Sequence, residues 1–234
     1  MNTRHTRNSI GLALAIFGAL LLTPDTLFMR LSELDGFSML MWRGGLSGVA
    51  YLLIWLWFSL RVERKMPNIF TVSFGVIILC QMLNATLFSL AIAVAPVAVV
   101  LIGVATVPVF AAALSRIILG EPLSALTIVT AILVMIGLYI SVLGQEGSEI
   151  ILDKTTLQGA ALGLGVAFSL AMNFTIIRKD KDVPFVLAIA LGAFMAAALG
   201  AMCADALYWP PLGNMAAIAL TGIIILPVSF VTLS

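Results

Sequence analysis

From Val97 to Ser115 the chain carries no charged side chain, and the run closes on Leu119-Gly120-Glu121-Pro122. As a helix, a run of that length reaches across a hydrocarbon core of roughly 30 Å. A stretch so long and so apolar reads as a membrane-spanning helix, not as a strand or a core helix. The pattern recurs along the whole sequence, with apolar runs alternating with short charged loops. Composition agrees: 62% of the residues are hydrophobic and 10% charged, with a mean hydropathy of +1.17. A soluble domain carries roughly 25% charged residues, so this chain has too little polar surface to face water. Backbone polar groups within lipid must be satisfied inside the segment, which makes the spans helices. The expected fold class is therefore an all-α polytopic membrane protein.

Spans are expected at 10–29, 36–60, 69–91, 97–117, 125–143, 157–177, 184–204 and from Leu212 onward, about eight in all. Arg4 and Arg7 before the first run resemble a signal peptide. The run is long, however, and no small-residue cleavage site leads into a polar region, so a retained helix is expected. With the N-terminus inside, Arg4, Arg7, Arg61, Arg64, Lys65, Arg116, Arg178, Lys179 and Lys181 lie on the inner side, and only Arg30 and Lys154 lie outside. That asymmetry orients the N-terminus to the cytoplasm. Trp55, Trp57, Tyr208 and Trp209 fit interfacial belts. The net charge of +1 gives no basic face for a nucleic acid. Cys80 and Cys203 read as packing residues.

The sequence also repeats itself. An offset of 148 places Gly11 on Gly159, Asp25 on Asn173, Arg30 on Arg178, Phe37 on Phe185 and Gly44 on Gly192; one residue of slip then aligns Gly75-Val-Ile-Ile-Leu79 with Gly222-Ile-Ile-Ile-Leu226. The two copies are five spans apart, an odd number, so they have opposite topology. Inverted repeats are typical of secondary transporters.

Four stretches carry a family resemblance: the Asp25-to-Arg30 exit of span one, Arg43-Gly44-Gly45, the Ala91-to-Pro96 approach to span four, and Leu119-Gly120-Glu121-Pro122-Leu123-Ser124. With them the chain resembles the drug/metabolite transporter superfamily, EamA-like branch. The resemblance implies ten helices as two inverted five-helix repeats, here residues 1–148 and a partial second copy at 149–234. The counterparts of about Phe88 to Ser148 are not in the sequence. The resemblance further implies a small-molecule substrate, a bilayer of the bacterial inner-membrane type and no cofactor, and it leaves room for proton coupling and a homodimer.

Ionisable groups within spans cost at least about 2.5 kcal/mol near a helix centre, so each is a candidate. Asp25 and Arg43 approach from neighbouring antiparallel spans, both roughly 6 to 10 Å below the outer surface. They form a pair that binds a charged substrate group or gates proton-coupled exchange, or else a purely structural one, and Arg43 could instead snorkel outward. Gln81 and Asn84 share one face of span three. They line the same cavity or bond between helices. Asn173 takes the Asp25 position in the second repeat, which puts it at the repeat interface. Pro24 should weaken the helix before Asp25. Pro96 and Pro108 bracket the first half of span four as a bend or a hinge. Thr106 is expected to bond back to its own helix, and Gly44-xxx-Gly48 and Gly159-xxx-Gly163 to be close-packing faces. Glu121 is read as a loop anchor, and Arg178 to Asp182 as a solvated loop.

Three functions compete. The first is a secondary transporter, an exporter of amino-acid-like or drug-like compounds working by alternating access. The second is an intramembrane enzyme; with His5 in the tail as the sole histidine, a histidine triad or His-based metal site has no residues to build it, and catalytic and metal assignments are none. The third is a truncated, non-transporting member of the same family.

Overall fold

The structure, a computed structural model, describes residues 17, 18, 20–61, 69, 71–122, 125, 128–130, 132–134, 136, 137, 154–204 and 209–233. Six helical segments among them are long and apolar enough to cross a membrane: Gly36–Arg61, Val72–Val94, Val97–Leu119, Lys154–Lys179, Phe185–Cys203 and Leu212–Ser229. The described residues contain no strand, and the protein is an all-α polytopic membrane protein. The start of span one, most of span five and Tyr208 lie outside the described residues.

The elements are α1 (Asp25–Leu31), α2 (Gly36–Arg61), α3 (Val72–Val94), α4 (Val97–Val104), α5 (Val107–Leu114), α6 (Lys154–Lys179), α7 (Phe185–Cys203), α8 (Leu212–Ala219) and α9 (Leu226–Leu233). Span four is thus not one helix. Pro108 has no N–H to give to Val104 and its ring crowds that carbonyl. The chain accordingly breaks at Ala105–Thr106, where Thr106 Oγ1 donates to the Gly103 carbonyl at 2.6 Å. The back-bonded reading of Thr106 therefore holds. Beyond α5 the helix widens into a π-helical turn, Ser115–Leu119. Gly120 ends it at φ 68° with its N–H on the Ser115 carbonyl. A left-handed C-terminal residue followed by a proline is a strong helix stop, which is what the Gly-Glu-Pro run encodes. The last span does not break but widens: a π-helical segment, Leu220–Ile225, joins α8 to α9 just ahead of Pro227.

Boundaries shift by a few residues from the apolar runs. Arg30 and Leu31 are helical, and so are Arg178 and Lys179, which extend α6 into the stretch expected as a solvated loop. Asp35 starts α2, its Oδ2 accepting from the N–H groups of Phe37 and Ser38 at 3.1 Å each. Burial raises the Asp35 carboxyl, but these bonds and the Ser38 hydroxyl outweigh it and hold the group below its ordinary value.

Helix pairing follows the small residues. Gly44 leaves room for Ala193 and Ala197, and Gly48 for the Phe194 ring, so α2 lies along α7. Gly200 meets Phe37 and Met41, which makes that pair antiparallel. Gly159 sits on Ala95, and Gly163 on Val100 and Gly103, which press α4 against α6. Both small-residue motifs are packing faces, as expected. Two apolar layers result. Met29, Met39, Ile92, Ala95, Val100 and Ile218 form one beside Arg30. Tyr51, Phe74, Ile77, Ile176, Val183 and Ile189 form the other toward Arg61. The two ends of the bundle are called the Arg30 face and the Arg61 face below.

Candidate functional site

Between the two apolar layers lies a cavity of about 280 Å³, walled by the first three spans, α4, α6, α7 and α9. Its polar lining comes from Asp25, Thr26, Arg43, Ser47, Gln81, Asn84 and Ser89. The helix of span one gives way to a turn at Thr23–Pro24, and Asp25 opens α1 directly behind it. Arg43 lies on the same helix face as Ser47, one turn further on. Both Asp25 and Arg43 are buried, at 4% and 6% exposure.

The two meet. Arg43 Nη2 donates to Asp25 Oδ2 at 2.6 Å, and the guanidinium carbon stands 5.5 Å from the centre of the Phe88 ring. Arg43 does not snorkel; it is held across the cavity wall by a carboxylate and an aromatic face. Each partner keeps one atom in reserve: Asp25 Oδ1 and Arg43 Nε have no hydrogen-bond partner among the described residues, nor has Ser89 Oγ. An acceptor, a donor and a hydroxyl are thus buried without partners in or beside one cavity. Leaving such atoms unpaired costs about 1–3 kcal/mol each, and a bound polar molecule is one way to recover that cost.

Of the remaining sequence candidates, Gln81 and Asn84 both line the cavity. Asn173 does not. It is buried on α6, and its Nδ2 donates to Gln81 Oε1 at 3.5 Å, so it reaches the cavity through Gln81. Pro24 marks the turn before Asp25. Pro96 precedes α4 with φ −56° and ψ 132°, a corner between spans three and four. The break inside span four belongs to Pro108 and falls at the Val104 end of the cavity wall.

Among the lining residues that sequence reasoning missed are Ser47, Phe88, Ser89, Leu170 and Phe174. Ser47 and Phe88 were within reach of helical spacing, at four residues from Arg43 and seven from Gln81. Ser89, eight residues from Gln81, was too; Leu170 and Phe174 carried no signal, because an apolar side chain facing a cavity and one facing lipid look alike in sequence. No group of three or more His, Cys, Asp or Glu among the described residues could hold a metal ion.

On the Arg61 face a second polar cluster stands apart from the cavity. Arg178 Nη2 donates to both carboxylate oxygens of Glu121 at 2.8 Å, and Nη1 donates to Ser115 Oγ at 3.3 Å. Glu121 is therefore anchored, as expected, and its anchor is the residue expected to be solvated. On the opposite face Arg30 donates to the Ala95 carbonyl.

Residues 9–143 match the family described as the EamA-like transporter family. No curated protein sequence and no solved structure matches the chain.

Proposed function

Because the chain belongs to the EamA-like transporter family, a family of transporters and not of enzymes, we propose that it is a secondary transporter whose substrate binds in the cavity between the two apolar layers. The observation that carries this reading is the buried Asp25–Arg43 pair at the cavity wall, each partner holding one atom in reserve. A pair locked only for structure would be expected to satisfy its remaining atoms within the protein. The substrate is an amino-acid-like or drug-like metabolite: a charged or polar head meets Asp25, Arg43, Gln81 and Asn84, and an apolar body lies along Leu40, Val166, Leu170 and Phe174. Asn173 acts by holding Gln81 in place.

The same reading takes residues 1–148 and 149–234 as inverted repeats whose relative rocking gives alternating access. The antiparallel contact of α2 with α7, which the 148-residue offset pairs through Gly44 and Gly192, supports it. The basic Arg61 face is cytoplasmic by the charge asymmetry, the membrane is of the bacterial inner type, and transport runs outward.

Charge reversal tests the site. Asp25→Arg and Arg43→Asp each abolish efflux of a transported amino acid or drug from proteoliposomes, and the double reversal restores a measurable part of it. A double reversal as inactive as the single ones, in protein that remains folded, refutes the paired site. Undiminished efflux in either single reversal does so too.

A further inference from the structure

The 148-residue offset that places Arg30 on Arg178 acquires a physical meaning in the structure. The two arginines bond at opposite ends of span four. Arg30 donates to the carbonyl of Ala95, which caps α3 at the corner where the chain turns through Pro96 into span four. Arg178 holds Glu121 and Ser115, where span four ends. Midway between the two grips the span is broken at Ala105–Thr106.

The two halves of the span are held differently. Along α4, Gly103 touches the backbone of Gly163, and Val100 and Ala95 meet Gly163 and Gly159, so α4 is bolted to α6 over its length. Beyond the break, α5 meets α6 through side chains, the Phe110 ring standing edge-on 5.8 Å from that of Phe168, with no glycine-mediated backbone contact. Of Val107–Leu119 only Leu114 and Ser115 are buried. What this half does contribute is Ile118, which packs on the apolar layer that stands between the cavity and the Arg61 face. Ile118 lies three residues before Glu121. The arginine therefore holds the segment that supplies part of the seal.

Resting on the transport reading above, we infer that Arg178, with Glu121 and Ser115, is the latch of a gate on the Arg61 face. With the latch made, Ile118 stays in the apolar layer and the cavity is closed on that side. With it broken, Val107–Leu119 swings about the Ala105–Thr106 break, Ile118 leaves the layer, and the cavity opens toward the Arg61 face. Arg178 and Glu121 are positioning residues and do not touch substrate. Their side chains are about half exposed, at 57% and 46%. A pair so wet biases a two-state equilibrium by a few-fold and does not lock it, which suits a latch that must open in every cycle.

The test reads the gate and not the turnover. In protein with Cys80→Ser and Cys203→Ser, Leu170→Cys places one thiol in the cavity wall. A membrane-impermeant methanethiosulfonate reagent is then applied from one side of oriented proteoliposomes at a time. Glu121→Gln and Arg178→Gln should each speed labelling from the Arg61 face by about two- to five-fold, and the swap E121R/R178E should return it to the parent rate. Unchanged labelling in both single variants overturns the latch, as does a swap that labels as fast as they do. Latch-dependent labelling, where the protein with its native Leu170 moves no substrate, upholds the latch and overturns the transport reading. Substrate transport with latch-independent labelling does the reverse. A thiol that labels from neither side removes both.

Discussion

Gly163→Ala asks how tightly α4 is fastened to α6. A Cβ on Gly163 would stand 2.6 Å from the Val100 carbonyl oxygen and 3.1 Å from Gly103 Cα. Both neighbours are backbone, so no rotamer change relieves the overlap. Reaching an ordinary contact of 3.4 Å requires α4 to move away by about 0.8 Å. That movement also opens the contact of Gly103 with the Gly163 backbone. Overpacking of this kind costs about 1–3 kcal/mol, while replacing a helical glycine by alanine returns about 1 kcal/mol of propensity. The two terms oppose each other, so the variant alone is a blunt measure. Gly75→Ala separates them: it sits on an exposed face of α3, where an added Cβ meets nothing within 4 Å. It gains the propensity term without the overlap. Unfolding in a denaturing-detergent titration, followed by tryptophan fluorescence, should place Gly163→Ala about 1–3 kcal/mol below Gly75→Ala. Equal stability of the two variants would refute the close seam, and with it the claim that α4 is the fixed half of span four.

Two further outcomes follow from buried and capping charges. Asp25→Ala leaves Arg43 without its carboxylate at a site 6% exposed and should cost about 3–5 kcal/mol of stability. The double variant D25L/R43M should recover most of that loss in the same titration, and a double variant no more stable than Asp25→Ala would contradict the uncompensated-charge explanation. Asp35, held below its ordinary value as the cap of α2, contributes stability that is complete above the ordinary carboxylate value and is lost as pH falls through its lower folded value. Asp35→Ala should therefore be about 1 kcal/mol less stable than the parent at neutral pH. The gap should begin to narrow near the ordinary carboxylate value, about pH 4, and close only below the lower folded value; a gap independent of pH would show that the carboxylate is not what caps the helix.

Much of this fold was legible because lipid permits so few solutions. Uncharged runs located the six described membrane-length segments to within a few residues, and Pro108 announced the break in span four. Gly120 and Pro122 announced its end. The Asp25–Arg43 pair was legible for the same reason: charge inside a span is rare enough to stand out. Leu170 and Phe174 were not, since apolar side chains give no sign of whether lipid, protein or a cavity lies opposite. Arg178 is solvated as expected, but its pairing with Glu121 was not foreseen, for a different reason. Beside Lys179, Asp180, Lys181 and Asp182 it looks like part of a solvated cluster, and only the turn of α6 shows that it points back at Glu121 while its neighbours stand at the helix end. The offset that matched it to Arg30 held the information, but a match in sequence does not say what either arginine touches.

The buried pair and the exposed pair answer to different energetics, and their places in the molecule follow from that. Removing two charges from water costs several kcal/mol per ion, and well-packed apolar residues of similar volume commonly serve stability as well or better. Stability alone is therefore a poor reason to keep Asp25 and Arg43 between two apolar layers; the expense makes sense where their reserve atoms meet something that arrives from outside. Arg178 and Glu121 are the opposite case. Half in water, they exchange solvent for each other at nearly even terms, and their contact can form and break at little cost. On the proposed transport reading, an interior charge pair too costly to keep for structure alone is where a ligand would be held. A surface pair too weak to hold a fold by itself suits the place where a helix must let go.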